Sequence, residues 1–224
     1  AYPINSVCPM KNRRMKQGLF PICFLWLAAA LLFVSCEEDE PMTPPYRQEI
    51  ADLPTDARGE AQQVCLDNGT NLQLETTLSG LRPDTLYRVR VLFTEREDGR
   101  IHLTDYVPIL APEVGKYASD KIVCDPLDVV ACYKSGPYVN VQVALKGSAG
   151  GVHAFGFHQT DYVRHDDGAR TLHALLLHHQ NNDPLYYTRE VFLSLPLRPL
   201  SELLLAGRDS IAVHFHTFDG EMVY

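Results

Sequence analysis

Four turn dipeptides, Asn68-Gly69, Asp98-Gly99, Asp167-Gly168 and Asp219-Gly220, each fall between short apolar runs. Such pairs supply the positive backbone dihedrals of tight hairpins. Around them the apolar residues recur with a period of two: Tyr87, Val89, Val91 and Phe93 alternate with Leu86, Arg88, Arg90 and Leu92. A period of two buries one face of a strand, whereas an amphipathic helix needs apolar residues three and four apart. The pattern predicts an all-β chain.

Two blocks of strands are legible. The first reads as strands over 62–66, 72–75, 86–94 and 100 to 110, with Pro112 closing the block. Several short strands in so little chain suit a small closed barrel, because closure removes exposed edges. The second reads as strands over 127–133, 138–145, 152–158, 171–178, 188–195 and 210–218, separated by turn signals such as Ser135-Gly136-Pro137 and the glycine run from Gly147 to Gly151. That spacing predicts an antiparallel β-sandwich. One helical turn is expected over 200–205. The domains expected are an OB-like β-barrel at 57–112 and a C-terminal β-sandwich at 113–224.

Upstream, Lys11, Arg13, Arg14 and Lys16 precede an uncharged run from Gln17 to Ser35 that is rich in Phe and Leu, and the run stops at Cys36. A positive flank, an apolar stretch and a small-residue end form the grammar of a secretory signal. The rival is a permanent transmembrane helix, which needs about 20 apolar residues. Pro21, the Ala28-Ala29-Ala30 cluster and the Ser35-Cys36 ending favour the signal. Phe33-Val34-Ser35-Cys36 resembles the bacterial lipobox, with Phe33 where that pattern usually has leucine; the resemblance implies acylation of Cys36 and anchorage in a membrane of the cell envelope. Glu37, Glu38, Asp39 and Glu40 follow, either as a solvated spacer or as a run similar to the surface-export signal of Bacteroides-group lipoproteins. Residues 1–35 are thus read as an upstream extension and lipoprotein signal peptide, with Met10 as the expected start. Residues 36–56, with Pro41, Pro44 and Pro45, are read as an acidic, Pro-rich stalk.

Without the leader's four basic residues, 16 Lys and Arg stand against 28 Asp and Glu, a net charge of −12. Nucleic acid is excluded as a partner, since binding it relies on neutralising phosphates with basic side chains. Beyond Cys36 the cysteines are Cys65, Cys124 and Cys132. Either Cys124 and Cys132 pair as a disulfide, or all three are small buried hydrophobes.

Chemistry-bearing clusters are sparse. Eight histidines lie in the second block: His153, His158, His165, His173, His178, His179, His214 and His216. His214 and His216 alternate on one strand and so share a face, a spacing that metal-binding sheets use; His173, His178, His153 or His158 is the expected third ligand if those strands are neighbours. Ser148 lies among glycines, but its spacing is not that of a nucleophile elbow. The same run lacks the Lys and Ser/Thr of a phosphate-binding loop, so it reads as a flexible hairpin loop. Arg88 and Arg90, beside Tyr87 and His102, are the residues that would seed a ligand-binding face on an OB-like barrel. No nucleophile accompanied by its base is visible, so the chain reads as a non-enzyme without cofactor.

The order of Leu66-Asp67-Asn68-Gly69-Thr70, Asp105-Tyr106-Val107-Pro108-Ile109-Leu110, Asp125-Pro126-Leu127-Asp128-Val129 and Gly136-Pro137-Tyr138-Val139-Asn140-Val141 resembles the NigD-like lipoproteins of Bacteroidales. Arg208-Asp209-Ser210-Ile211 and Thr217-Phe218-Asp219-Gly220-Glu221 fit the same family. The resemblance implies the barrel-plus-sandwich architecture, outer-membrane lipoprotein status and a loose naming link to a bacteriocin operon, with no established activity. The chain departs from that pattern by ending soon after Asp219-Gly220, where the resemblance implies a longer final strand. The expected function is a lipid-anchored, non-enzymatic envelope protein displaying loops to a protein or glycan partner. The alternative is a metal-binding protein or metal-dependent enzyme built on His214 and His216.

Overall fold

A computed structural model describes residues 45–224. The leader, Cys36 and the acidic run after it lie outside the described residues. Among the described residues no helix is long and apolar enough to cross a membrane.

The first module is a closed barrel of β1 (Arg47–Pro54), β2 (Ala61–Leu66), β3 (Asn71–Leu78), β4 (Leu86–Glu95) and β5 (Ile101–Pro108), in the order β1-β2-β3-β5-β4. β1 pairs with β4 from Arg47↔Phe93 to Pro54↔Leu86 and also with β2, while β3 meets β5 in parallel at Leu74↔Ile101. Leu53, Val64, Val89, Val91, Phe93 and Ile101 fill the interior. The expected stalk over 36–56 is therefore corrected: from Arg47 the chain is a barrel strand, and the barrel cannot close without it. Prolines made the segment read as stiff and unpacked. Yet Pro54 is the last residue of the strand and lies beyond its register with β2, and only Ala51 and Leu53 carry the alternation, both fully buried.

The second module packs two sheets. One holds β6 (Val114–Gly115), β9 (Ala154–Arg164), β10 (Arg170–His179), β12 (Ser210–Thr217) and β13 (Gly220–Val223), in the order β13-β12-β10-β9-β6. The other is β11 (Tyr187–Pro196), β8 (Tyr138–Gly147) and β7 (Asp128–Ser135), in that order. Leu127, Val141, Val143, Leu145, Phe157, Leu172, Leu193, Leu195 and Phe215 interdigitate between them. Most pairings are antiparallel, but β12 lies parallel to β10 and β6 parallel to β9. After β10 the chain spends β11 in the opposite sheet, so it returns beside β10 running the same way. Alternation carries no information about this direction. The 3₁₀ turn at Arg198–Leu200 begins two residues before the helical turn expected at 200–205, and Leu200 is buried beneath it. β13 supplies the final strand, pairing four residues with β12.

The two modules meet around Arg88, whose side chain is 3% exposed. Its guanidinium donates to Asp52 Oδ1 (3.0 Å), to both oxygens of Asp67 (2.6 and 2.8 Å), to Asn140 Oδ1 (3.1 Å) and to Ser194 Oγ (3.1 Å). It also stacks 3.7 Å from the Tyr138 ring centroid, and Tyr138 O–H donates to Asp52 Oδ1 at 2.9 Å. Burial raises the Tyr138 phenol, with Asp52 adding to the effect, to about 12. Burial also works against the Asp67 carboxylate, but hydrogen bonds from Arg88 and Asn140 outweigh it and hold the group below its ordinary value. Gly136, with φ of +50°, brings the β7–β8 turn so near that an added Cβ would stand 1.9 Å from the Asp67 carbonyl oxygen. Arg90, on the same face of β4, lies 4.6 Å from the Phe192 ring centroid. The barrel face expected to offer Arg88 and Arg90 to a ligand is instead spent on docking the sandwich.

Candidate functional site

The sandwich presents two adjacent loops at one end, 148–153 between β8 and β9 and 180–186 between β10 and β11. Three large apolar side chains stand out into solvent there: Val152 at 75% exposure, Leu185 at 57% and Tyr186 at 76%. Isolated exposed apolar residues are ordinary, but here three fall on one pair of loops. Beneath them the loops are pinned by a buried polar network.

Asp183 is the centre of that network. Its carboxylate accepts the Ser148 amide (2.8 Å) and hydroxyl (2.5 Å) and faces His153 Nε2 at 3.0 Å. The Ser148 hydroxyl and amide, with His153 behind them, hold the carboxyl down at about 2. His153 Nδ1 lies 2.7 Å from His178 Nε2, and His178 Nδ1 lies 2.9 Å from the Asp125 carbonyl oxygen. Further links are Asn181 Nδ2 to the Val152 carbonyl (2.7 Å) and Arg189 Nη2 to the Gly151 carbonyl (3.0 Å). An added Cβ on Gly151 would stand 1.8 Å from Asp183 Oδ2. The glycine run is thus a seat for a carboxylate and not the flexible hairpin expected, because only an absent side chain lets Asp183 come this close.

Ser148, His153 and Asp183 do not form a nucleophilic triad. In such a triad the imidazole stands between hydroxyl and carboxylate and takes the hydroxyl proton. Here the carboxylate stands between the other two, so Ser148 Oγ donates to Asp183 and has no base. The arrangement orders a loop. Asp183 and Asp125 were missed in the sequence; the only signal was the density of glycines opposite a turn containing Asn181-Asn182-Asp183-Pro184.

The candidate metal ligands are on one face of β12 but are engaged elsewhere. His214 Nε2 lies 2.8 Å from His173 Nδ1, and His216 Nδ1 donates to the Cys124 carbonyl at 2.6 Å. Both line a cleft of about 370 Å³ with Thr160, Leu175, Phe215 and Glu221. Among the described residues no three His, Cys, Asp or Glu side chains converge as a ligand set. Of the expected third ligands, His173 alone meets His214; His153 and His178 belong to the loop network, and His158 Nδ1 accepts the Tyr117 amide at 3.1 Å. His102 faces Glu75 on the barrel at 2.9 Å. Cys65, Cys124 and Cys132 are free thiols, each partly buried. Burial pushes Cys132 up to about 11.

The family model described as the NigD-like C-terminal beta sandwich domain matches residues 110–224, half of the chain. Among solved structures, a NigD-like immunity protein from Bacteroides caccae ATCC 43185 is 23% identical with a TM-score of 0.63, over 81% of this chain and 92% of that one. A protein of unknown function (DUF1344) from Bacteroides vulgatus ATCC 8482 is 19% identical with a TM-score of 0.57, over 80% and 89%. A candidate lipoprotein from Bacteroides fragilis NCTC 9343 is 14% identical with a TM-score of 0.59, over 80% and 96%. Comparison with curated protein sequences finds no match. These likenesses show the shared fold, and the sandwich match identifies the chain as a member of the NigD-like family.

Proposed function

We propose that this protein is a non-enzymatic envelope lipoprotein, held by acylated Cys36 at the outer membrane, whose sandwich loops bind a protein partner. The observation that carries the reading is the pair of loops bearing Val152, Leu185 and Tyr186, exposed at their tips and fixed from below by Asp183. Loops ordered before binding lose less conformational entropy on contact, which favours a recognition surface. Protruding aliphatic groups beside an aromatic ring fit an apolar depression on a protein better than a glycan. A protein partner also agrees with the B. caccae neighbour's name, immunity protein. The strand order of the barrel is that of an OB-like fold, and its Arg88 face serves assembly.

Two experiments test the reading. Changing Cys36 to Ala should move the protein from the membrane fraction to the soluble one; unchanged fractionation removes the anchor. A photo-crosslinking residue at position 186 should trap one discrete protein species in intact cells, while the same residue at the exposed barrel position 107 should not. Equal labelling from both positions refutes the loop surface.

A further inference from the structure

We propose that loops 148–153 and 180–186 are locked together by a single proton shared between His153 and His178, and that they come apart when it leaves. The argument is a count of hydrogens. The chain of contacts runs from the Asp125 carbonyl oxygen through His178 Nδ1, His178 Nε2, His153 Nδ1 and His153 Nε2 to Asp183 Oδ2. Both ends are acceptors. A carbonyl oxygen and a carboxylate can only receive, so each outer contact requires a hydrogen on the imidazole nitrogen facing it. The inner N···N contact of 2.7 Å requires one more. Three contacts thus need three hydrogens, whereas two neutral imidazoles bring one each. The pair carries one proton beyond neutrality, and its positive charge lies against Asp183.

The other groups packed around the pair agree with this count. The Asp125 carboxylate is occupied by the Gln180 amide at 2.7 Å. Arg189, from β11, points its Nη2 to the Gly151 carbonyl, and its Nε is buried without a partner. His179 follows His178 on β10 and is itself exposed. Phe155 stacks on the far face of His178, with ring centroids 5.1 Å apart. The carboxylate most directly opposed to the shared charge is therefore Asp183. Burial works against charge on His178 and lowers it from the ordinary imidazole value, against the attraction of Asp183 for the shared charge; coupled rings titrate as a pair and not singly. Asp183 remains ionised until about 2. The lock therefore survives well into acid and fails on the alkaline side. Once the shared proton departs, two hydrogens remain for three contacts, so one contact of the chain is left with a lone pair facing an acceptor and the relay is broken.

His173 and His214 supply the contrast. Their nitrogens also approach to 2.8 Å, but neither ring is held between two acceptors, so two neutral tautomers satisfy that pair. Any consequence of the lock for binding rests on the loop surface proposed above; the lock itself does not.

The test uses the full chain carrying Cys36→Ala, labelled with ¹⁵N, across about pH 5 to 9, the span around an unperturbed histidine. Imidazole nitrogen shifts should show one added proton for His153 and His178 together. As it leaves, hydrogen-exchange protection of the Ser148 amide should fall at least tenfold beyond the base-catalysed trend. In His153→Gln the side-chain amide still donates to Asp183 but carries no titrating proton, so that protection should stay flat. Two neutral rings at a pH where the Ser148 amide is protected would overturn the proposal. So would an unchanged pH profile in His153→Gln, and if that variant does not fold, the wild-type nitrogen shifts decide alone. Crosslinking from position 186 is independent of both outcomes.

Discussion

Replacing Arg88 with Met removes the charge at the junction while keeping a long apolar stem over Tyr138. Five hydrogen bonds vanish, and the Asp67 carboxylate is left with neutral donors alone from the sandwich, Asn140 among them. Removing one partner of a buried ion pair costs about 3–5 kcal/mol, because the other charge stays buried and uncompensated. Against a typical total of about 5–15 kcal/mol, that is enough to shift a denaturant midpoint plainly. The pH dependence checks the cause. In the wild type Asp67 is depressed, so it contributes stability above its unfolded value, and this is lost as pH falls through the folded value. In Arg88→Met the sign reverses: the carboxylate is raised, takes up a proton readily, and the penalty shrinks as pH drops from about 7 toward 4. Urea unfolding of both proteins at several pH values measures this. A loss below about 1 kcal/mol at neutral pH, or one that is constant with pH, would refute the view that Arg88 is the charge that joins the modules.

Other outcomes follow from the loops and thiols. Gly151→Ala drives a methyl into Asp183 and should destabilise by about 1–3 kcal/mol, the range for overpacking; an unchanged melting temperature would mean that the carboxylate seat is soft. Asp183→Asn should flatten the acid limb of stability, since the wild-type carboxyl, held at about 2 by Ser148, contributes above its unfolded value near 3.8 and loses that contribution as pH falls. Thermal melts at successive pH values read this directly, and parallel wild-type and variant curves would contradict it. With Cys132 pushed up to about 11, its thiol should be the slowest of the three to react with a disulfide reagent in the native protein, and all three should titrate once it is unfolded. Only one thiol appearing in denaturant would reveal a disulfide.

Of the loop site, His153, His178 and Ser148 were visible as residue types, but their roles were not. His153 and His178 read as candidate metal ligands, and Ser148 with its glycines was set against a nucleophile elbow and a phosphate loop. The structure joins them through Asp183, 35 residues away from Ser148 and in an ordinary Asn-Asp-Pro turn. Likewise Leu66-Asp67 and Gly136-Pro137-Tyr138-Val139-Asn140 were legible as separate turns and strands. Only folding shows that they are two halves of one junction, with Arg88 between them. His214 and His216 do share a face, as their spacing required, yet each spends its nitrogen on a neighbour that the spacing could not reveal.

Periodicity and turn chemistry alone determined that this chain is built of strands, where most strands begin and end, and that barrel precedes sandwich, because pleat and positive φ are local properties of a few adjacent residues. The partnering of strands, the inclusion of Arg47–Pro54 in the barrel and the parallel return of β12 beside β10 were decided by tertiary structure. So was the fate of each buried charge. Arg88 on an alternating strand reads as solvent-facing; it is buried because Asp52, Asp67, Asn140 and Ser194 converge on it from four strands and turns. Such compensation is nonlocal, and no window of sequence contains it.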